Sequence, residues 1–171
     1  MGQLAALSLA IGALGGVATW IYLASGMLLI WATFIGWGCF FHVGGDDAAL
    51  RNTIVGTVFG ALVATIAAII ILSVHLDATL GLPLWAGIVV GVTVWLICIA
   101  AQVKALSVIP ANVYGYAAVF AYLLQTPDRL TLPALTSVNM NNAFIVVGLS
   151  LIVGAVLGYV SGKLGAALKK A

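Results

Sequence analysis

Long apolar runs separated by short polar segments dominate the sequence. A helix needs roughly 20 mostly apolar residues to cross the hydrocarbon layer of a membrane. Six runs meet this requirement, at about 4–24, 27–43, 54–74, 82–101, 105–124 and 143–164. Irregular backbone cannot face lipid, and runs of this length are too long for barrel strands. The pattern therefore predicts an all-α polytopic membrane protein with six transmembrane helices.

Composition agrees with lipid as the surrounding medium. Hydrophobic residues make up 64% of the chain, charged residues 6%, and the mean hydropathy is +1.27. Because a soluble domain carries about a quarter charged residues, this chain could not cover a water-facing surface. We expect a single transmembrane domain over residues 1–171, with the lipid bilayer as its partner.

Basic residues in the short loops predict the orientation. With six spans, the N-terminus, the loops near 44–53 and 102–104 and the C-terminal tail lie on one side. Five of the six Lys and Arg residues fall on that side, and only Arg129 falls on the other. Cytoplasmic loops carry the excess of Lys and Arg, so both termini are predicted to be cytoplasmic. The net charge of +2 reflects this bias and implies no nucleic acid partner.

Motifs recur in the same order along the chain. The first and fourth runs share the pattern G-x-x-x-G-x-x-x-W, 75 positions apart. The second run contains FIGWGCFF (34–41), and the fifth contains VYGYAAVF (113–120). The third and sixth runs open with IVGTVFG (54–60) and IVGAVLG (152–158). Three matches in one order indicate a duplicated unit of three helices.

A three-helix repeat has a geometric consequence. Each half crosses the membrane an odd number of times, so the second half enters from the opposite side. We expect an inverted 3+3 repeat, with halves at about 1–76 and 77–171 related by a pseudo-two-fold axis in the membrane plane. Inverted repeats recur in transporters, with the solute site near the midplane where the halves meet.

Glycines at every fourth position form stripes in four of the runs. Such a stripe removes side chains from one helix face and lets two backbones approach closely. Packing within one chain is the simpler interpretation, and subunit assembly is the alternative. A homo-oligomer is expected, because six short spans enclose little volume. The helix-packing pairs are Gly12/Gly16, Gly56/Gly60, Gly87/Gly91 and Gly154/Gly158.

The fifth run is unusually polar for a membrane helix. Pro110 lacks an amide proton and clashes with the preceding turn, so a helix break is expected there. Broken helices of transporters present their freed backbone groups to the solute. A kink at the cytoplasmic surface, capped by Asn112, is the equal alternative. The predicted pathway residues are Ser107, Asn112, Tyr114 and Tyr116, with Trp37 as the matching residue of the second run and His42 at a mouth.

Missing residue types narrow the chemistry. The chain has no Glu, and its four Asp residues lie in predicted loops, so no proton relay within the membrane is indicated. Hydroxyls, amides and aromatic rings suit a small neutral or weakly polar solute.

With only His42 and His75 as histidines, no zinc site is expected. A role for His42 in interfacial hydrogen bonding is the common alternative to its place at a mouth. Catalytic motifs are missing, so neither an enzyme nor a cofactor is predicted.

Two functions of different classes fit this pattern. The first is a channel or facilitative transporter for a small solute, in which replacing Asn112 by Leu should reduce flux and leave folding intact. The alternative is a non-transporting membrane subunit that positions a partner protein through its glycine stripes.

Three phrases carry a family resemblance: WATFIGWGCFFHVGG, RNTIVGTVFGALVA and VIPANVYGYAAVFA. On these phrases the sequence resembles the YcdZ-like family of small bacterial inner-membrane proteins over nearly its whole length. That family is classified as a domain family of unknown function. The resemblance implies a multi-pass protein of the bacterial inner membrane and supplies no catalytic or binding residues.

Overall fold

The computed structural model describes residues 2–170, and within that range the chain forms helices and no strand. Six helices are long, and two others, α4 and α7, have only four and five residues. In chain order the helices are α1 (Gln3–Ser25), α2 (Ile30–His42), α3 (Asp47–Ser73), α4 (Asp77–Leu80), α5 (Leu82–Ile99), α6 (Ile109–Gln125), α7 (Leu132–Thr136) and α8 (Ala143–Lys170).

The prediction of an all-α protein is confirmed, and its apolar helices indicate a membrane protein. Four helices of the described chain are long and apolar enough to cross a membrane, with mean hydropathies of 1.9 to 2.6. They are α1, α3, α5 with the turn that follows it, and α8. The other two long helices, α2 and α6, are shorter than the sequence pattern predicted. Their 13 and 17 residues correspond to about 20 and 26 Å, against about 30 Å of hydrocarbon.

Irregular backbone precedes each of the two short helices. Gly26 ends α1 in the left-handed conformation, with φ of 63°, and α2 begins only at Ile30. This places the first turn of the chain at Ser25 and Gly26, in the gap between the first two apolar runs. After α5, two 3-10 turns carry the chain to α6, which begins at Ile109 with Pro110 in its first turn. A proline is tolerated there because first-turn amides have no helical partner.

Four helices form the centre of the bundle. The most extensive contacts are those of α3 with α6 and of α2 with α8, and α3 also packs against α8. The remaining long helices lie outside this centre, α1 beside α8 and α5 beside α3. On α1 the buried positions are mostly small residues three to five apart, beginning with Ala6 and Ala10. Such spacing places one narrow face of α1 against its neighbour.

The α3–α6 contact brings two backbones together. A methyl group added at Gly60 would overlap the carbonyl oxygen of Asn112, and one added at Gly115 would overlap that of Thr57. Each glycine therefore points a Cα hydrogen at a carbonyl of the facing helix. Such Cα–H···O contacts are individually weak, but they require a glycine on one side.

The α2–α8 contact repeats this arrangement. A methyl group at Gly36 would overlap the carbonyl oxygen of Leu151, and one at Gly154 would overlap that of Thr33. The two central helix pairs are thus held together by the same type of contact, a glycine of each helix against a carbonyl of the other. No side chain larger than hydrogen fits at these four glycines unless the helices separate.

The other glycine of each central stripe meets a side chain instead of a carbonyl. On α8, a β-carbon built at Gly158 would lie 2.7 Å from the Cδ1 atom of Phe40 on α2. On α3, one built at Gly56 would lie 2.6 Å from the Cβ atom of Ala111 on α6. Gly158 therefore leaves the space that the Phe40 ring occupies, and it does not bring two backbones together. The prediction of close backbone approach is wrong for Gly158, although the residue does pack within the chain.

The glycine stripes of α1 and α5 face outward. Around a β-carbon built at Gly12, Gly16, Gly87 or Gly91, no atom of a neighbouring element in the described chain lies within 4 Å. These glycines therefore do not pack against another helix within the chain. The stripes of α3 and α8 thus pack within the described chain, whereas those of α1 and α5 do not, so the simpler interpretation does not extend to α1 and α5.

Polar contacts gather several helix ends at one end of the bundle. Asp46 caps α3, accepting a hydrogen bond from the amide of Ala49 at 2.7 Å. Asp47, at the start of α3, pairs with Lys163 of α8 at 3.4 Å. Both side chains are well exposed, so this ion pair contributes little stability. Its value here is positional, because it places the C-terminal part of α8 beside the start of α3.

The two glycine environments predict opposite effects of the same substitution. Replacing Gly60 by Ala should lower the free energy of unfolding by about 3 kcal/mol, because α3 and α6 must separate. Replacing Gly87 by Ala should raise it by up to about 1 kcal/mol, since the site is open and alanine favours the helix. Equilibrium unfolding in mixed micelles measures both. Equal effects of the two substitutions would contradict the backbone contact.

Candidate functional site

A groove runs between α2 and α6, the two shortest of the six long helices. Its volume is about 440 Å³, within the range of small-molecule sites. Gly38 and Ala117 are both exposed and form its floor, where small side chains leave space between the helices. The complete lining consists of Phe34, Ile35, Gly38, Cys39, Tyr114 and Ala117.

Local sequence determines why this face is open. Gly36 and Gly38 are two positions apart, and residues two apart on a helix do not share a face. Gly36 packs on α8, so Gly38 points away from the core. Gly115 and Ala117 are related in the same way on α6, with Gly115 packed on α3. One small residue of each pair therefore serves packing, and the other leaves the groove.

A polar pair joins the two helices at one end of the groove. The Nδ1 atom of His42 lies 2.9 Å from the hydroxyl of Tyr114. His42 is exposed, and Tyr114 is half-buried. The contact links the last residue of α2 to the first turns of α6. The structure thus brings together the two predicted pathway residues that lie at the groove.

Asn112 lies inside the protein, away from the groove. Its side chain is fully buried, and its amide nitrogen donates to the carbonyl oxygens of Ile97 at 3.2 Å and Leu106 at 2.9 Å. These carbonyls belong to the end of α5 and to the irregular segment that follows. Asn112 therefore caps the preceding helix end instead of the start of α6.

The Asn112 side-chain oxygen faces α3. It has no hydrogen-bond partner among residues 2–170. A β-carbon at Gly56 would come within 2.9 Å of it, so a Cα hydrogen of Gly56 points toward this oxygen. Such a contact is a weak substitute for a hydrogen bond. Both the nitrogen and the oxygen of the Asn112 side chain therefore contact neighbouring parts of the protein.

Ser150 has a corresponding task before α2. Its hydroxyl accepts a hydrogen bond from the amide of Leu29 at 3.0 Å and donates to the carbonyl of Val146 at 2.7 Å. Thr33 lies next to it, with its hydroxyl 3.1 Å from the Ser150 carbonyl oxygen and 2.9 Å from the hydroxyl of Tyr22. Both irregular segments are thus tied to the core by buried polar side chains.

The remaining predicted pathway residues do not face the groove. Trp37 is buried and donates from Nε1 to the hydroxyl of Ser161 at 3.1 Å. Tyr116 is buried with its hydroxyl 2.8 Å from that of Thr93. Ser107 is exposed and donates to the carbonyl of Lys104, in its own 3-10 turn. These residues do not form one pathway with Tyr114 and His42.

Most other buried hydroxyls bond within their own helix. Thr57, Thr65 and Thr93 each donate to the carbonyl four residues earlier, at 2.7 to 2.9 Å. This is the usual way in which a helical threonine satisfies its hydroxyl in apolar surroundings. The buried hydroxyls that the sequence offered for a solute are therefore largely occupied.

Sequence reasoning missed five groove residues: Phe34, Ile35, Gly38, Cys39 and Ala117. A signal for two of them was present, since Gly38 and Ala117 occupy the same position in the aligned phrases FIGWGCFF and VYGYAAVF. A search for polar side chains overlooks such positions, because the groove arises from missing side chains.

The contacts of Asn112 change the expectation that its replacement would leave folding intact. Substituting Leu leaves the buried carbonyls of Ile97 and Leu106 without their donor, so the free energy of unfolding should fall by about 2 kcal/mol. Asn141 is exposed and its side chain makes no hydrogen bond in the described chain, which makes Asn141→Leu a matched control. Unfolding in mixed micelles compares the two. Wild-type stability of Asn112→Leu would refute the capping role.

Comparison with known proteins identifies a family. A search of curated proteins and a search of solved structures found no match to the chain. The family model of DUF1097, described as a protein of unknown function, matches residues 8–166. The match spans the groove, the irregular segments and the four central helices except the last four residues of α8. The chain therefore belongs to the DUF1097 family.

Proposed function

We propose that this protein is a membrane channel or facilitative transporter for a small neutral or weakly polar solute. The proposal rests on α2 and α6, the two shortest of the six long helices. Each of them is preceded by irregular backbone. A pair of short or interrupted apolar segments at corresponding positions of two halves is the best sequence-level pointer to a transporter's binding site. All six long helices cross the membrane in this proposal, as an inverted 3+3 repeat.

Hydrogen bonds support the repeat independently of the motifs. Thr33 on α2 contacts Tyr22 on α1, and Asn112 on α6 contacts Ile97 on α5. Tyr22 and Ile97 are 75 positions apart, which is the spacing of the G-x-x-x-G-x-x-x-W patterns. Thr33 and Asn112 are 79 apart, as are the aligned phrases FIGWGCFF and VYGYAAVF. Matching residues thus meet matching partners in both halves.

The glycine contacts support the same pairing and refine its register. Gly60 meets the Asn112 carbonyl and Gly154 meets that of Thr33, which makes Gly60 and Gly154 equivalent, 94 positions apart. The matching heptamers instead pair Gly60 with Gly158, 98 positions apart. The difference of four residues is about one helical turn. Because small residues recur every fourth position, the heptamers align equally well one turn out of register.

Orientation follows from the polar end of the bundle. The start of α3, the end of α2 and the C-terminal part of α8 meet there, with Lys163 and Lys169 exposed. An excess of basic residues marks the cytoplasmic side. We place this end in the cytoplasm, with both termini, and we locate the protein in a bacterial inner membrane on its resemblance to the YcdZ-like family.

The groove between α2 and α6 is the proposed solute pathway. The contacts between α3 and α6 and between α2 and α8 fill the centre of the bundle with backbone, which leaves little room for a route there. Phe34 and Tyr114 provide aromatic walls, and the Tyr114 hydroxyl and His42 provide hydrogen bonds at the cytoplasmic mouth. Such a lining suits a small solute of low polarity.

A second copy of the chain completes this proposal. The groove is open to the outside of the protomer, so a solute in it needs a wall that another protomer supplies. The outward stripes of α1 and α5 provide smooth surfaces on which backbones of two protomers approach closely. Trp20 and Trp95 lie exposed on the same helices, at 72% and 61%. We therefore propose a homo-oligomer.

Flux through sealed liposomes tests the function. Purified protein should accelerate the passage of water, glycerol, urea or a small amide, followed by stopped-flow light scattering beside empty liposomes. Gly38→Leu should reduce the flux to that of empty liposomes, because the added side chain fills the groove; in the described chain no neighbouring atom lies within 4 Å of a β-carbon built at Gly38. Gly148→Leu is the matched control, since a β-carbon built at Gly148 also meets no neighbouring atom of the described chain within 4 Å, and Gly148 lines a different groove, between α3 and α8.

The outcomes separate the two classes of function. Flux that survives Gly38→Leu would exclude the groove as the pathway. Absence of flux from folded, inserted protein across the panel would refute a facilitator of neutral solutes and favour the non-transporting partner subunit. A stoichiometric foreign subunit after mild solubilisation would support that alternative.

The outward stripes predict how assembly responds to substitution. Replacing Gly91 by Leu should shift the purified protein toward smaller species, because the new side chain holds two protomers apart without disturbing the protomer fold. Gly148→Leu again serves as the control and should retain the wild-type size. Light scattering coupled to size exclusion measures the mass. Wild-type mass for Gly91→Leu would remove α5 from the interface.

A further inference from the structure

A second cavity lies between α1 and α8, beside the end of α2. Its volume is about 380 Å³, comparable to small-molecule sites. It shares no residue with the α2–α6 groove. Its lining combines one cation and one amide with a largely apolar wall, and consists of Gln3, Leu7, Phe41, Gly162, Gly165, Ala166 and Lys169.

Small residues on α8 create this cavity. Gly162, Gly165 and Ala166 are three and four positions apart and so share one face of the helix. At Gly165 the helices touch, since a β-carbon there would lie 2.9 Å from the Cα of Leu7. At Gly162 nothing lies within 4 Å, so the space opens. The cavity is therefore a gap between two helices that a ligand could enter.

Polarity changes along the length of the cavity. Gln3 and Lys169 lie near the ends of their helices, with Lys169 Nζ 3.2 Å from the Gln3 side-chain oxygen. Gly162 lies seven residues before Lys169, which is about 10 Å deeper along the helix axis. The described lining includes no carboxylate. Asp47, in the adjacent groove, is paired with Lys163.

We propose that this cavity binds an anionic phospholipid. The phosphate would lie at the Lys169 ammonium and the Gln3 amide, and an acyl chain would extend along Leu7 and Phe41. Basic pockets between transmembrane helices on the cytoplasmic side suit anionic headgroups. The charged and amide side chains of the lining lie at the helix ends, and the apolar wall lies deeper. A phospholipid in the adjoining leaflet has the same arrangement, with its headgroup at the surface and its acyl chains below.

Lipid titration of the full-length protein tests the site. In detergent, dioleoylphosphatidylglycerol should bind with higher affinity than dioleoylphosphatidylcholine, measured by native mass spectrometry. Lys169→Gln should weaken binding of the anionic lipid about fivefold, the effect of one basic charge near a membrane surface. Lys104→Gln is the charge-matched control, because Lys104 is exposed outside the cavity. It should leave the affinity unchanged.

A second pair of variants tests the cavity itself. Gly162→Leu adds a side chain where a β-carbon meets no neighbouring atom of the described chain within 4 Å, so it should fill the space and abolish the preference for the anionic lipid, whereas Gly148→Leu should retain it. Equal binding of the two lipids, or equal loss with Lys104→Gln, would overturn the site. Inorganic phosphate that displaces the lipid at equal concentration would also overturn it, since the acyl chain would then contribute nothing. Solute flux plays no part in these measurements.

Discussion

Contact between helix backbones is the constraint on which the rest of this structure depends. In lipid the hydrophobic effect gives little reason for helices to associate, so close packing must supply it. Here Gly60 and Gly115 join α3 to α6, and Gly36 and Gly154 join α2 to α8. The cost of this packing is a bundle whose centre is filled by backbone. Any route for a solute is thereby directed to the periphery, where small residues on α2 and α6 leave a groove.

Irregular backbone imposes a second demand, because each freed amide or carbonyl inside the membrane needs a partner. Asn112 meets it for the end of α5. Asn142 does the same outside the centre, donating to the carbonyls of Leu135 and Ser137. In so apolar a chain, most buried amides and hydroxyls are used to satisfy backbone or their own helix. The pair at the groove, Tyr114 and His42, stands out because its polar atoms remain at a surface.

The sequence predicts local features such as turns and helix caps well, but it does not predict which neighbour each helix face packs against. The turn at Gly26 and the cap at Asp46 follow from residue type and position, and the structure has both. Apolar runs locate all six long helices, but they cannot say where helical backbone begins within a run, so α2 and α6 are shorter than predicted. The same limit applies to glycine. Nothing local distinguishes Gly60, which touches a carbonyl, from Gly158, which touches a ring, or from Gly91, which touches no other helix among residues 2–170.

Divergence between the two proposed halves makes the two mouths of the proposed pathway unequal. Tyr114 on α6 corresponds to Ile35 on α2, and both line the groove. His42, which bonds Tyr114, corresponds to Ala121. A strictly symmetric repeat would place equal polar groups at corresponding positions, whereas here a hydroxyl and an imidazole correspond to aliphatic side chains. A solute entering beside Tyr114 and His42 would exchange water for these two groups first, and would then pass Phe34, with the weakly polar thiol of Cys39 as the remaining polar side chain of the described lining. Such an arrangement favours a solute whose desolvation costs little.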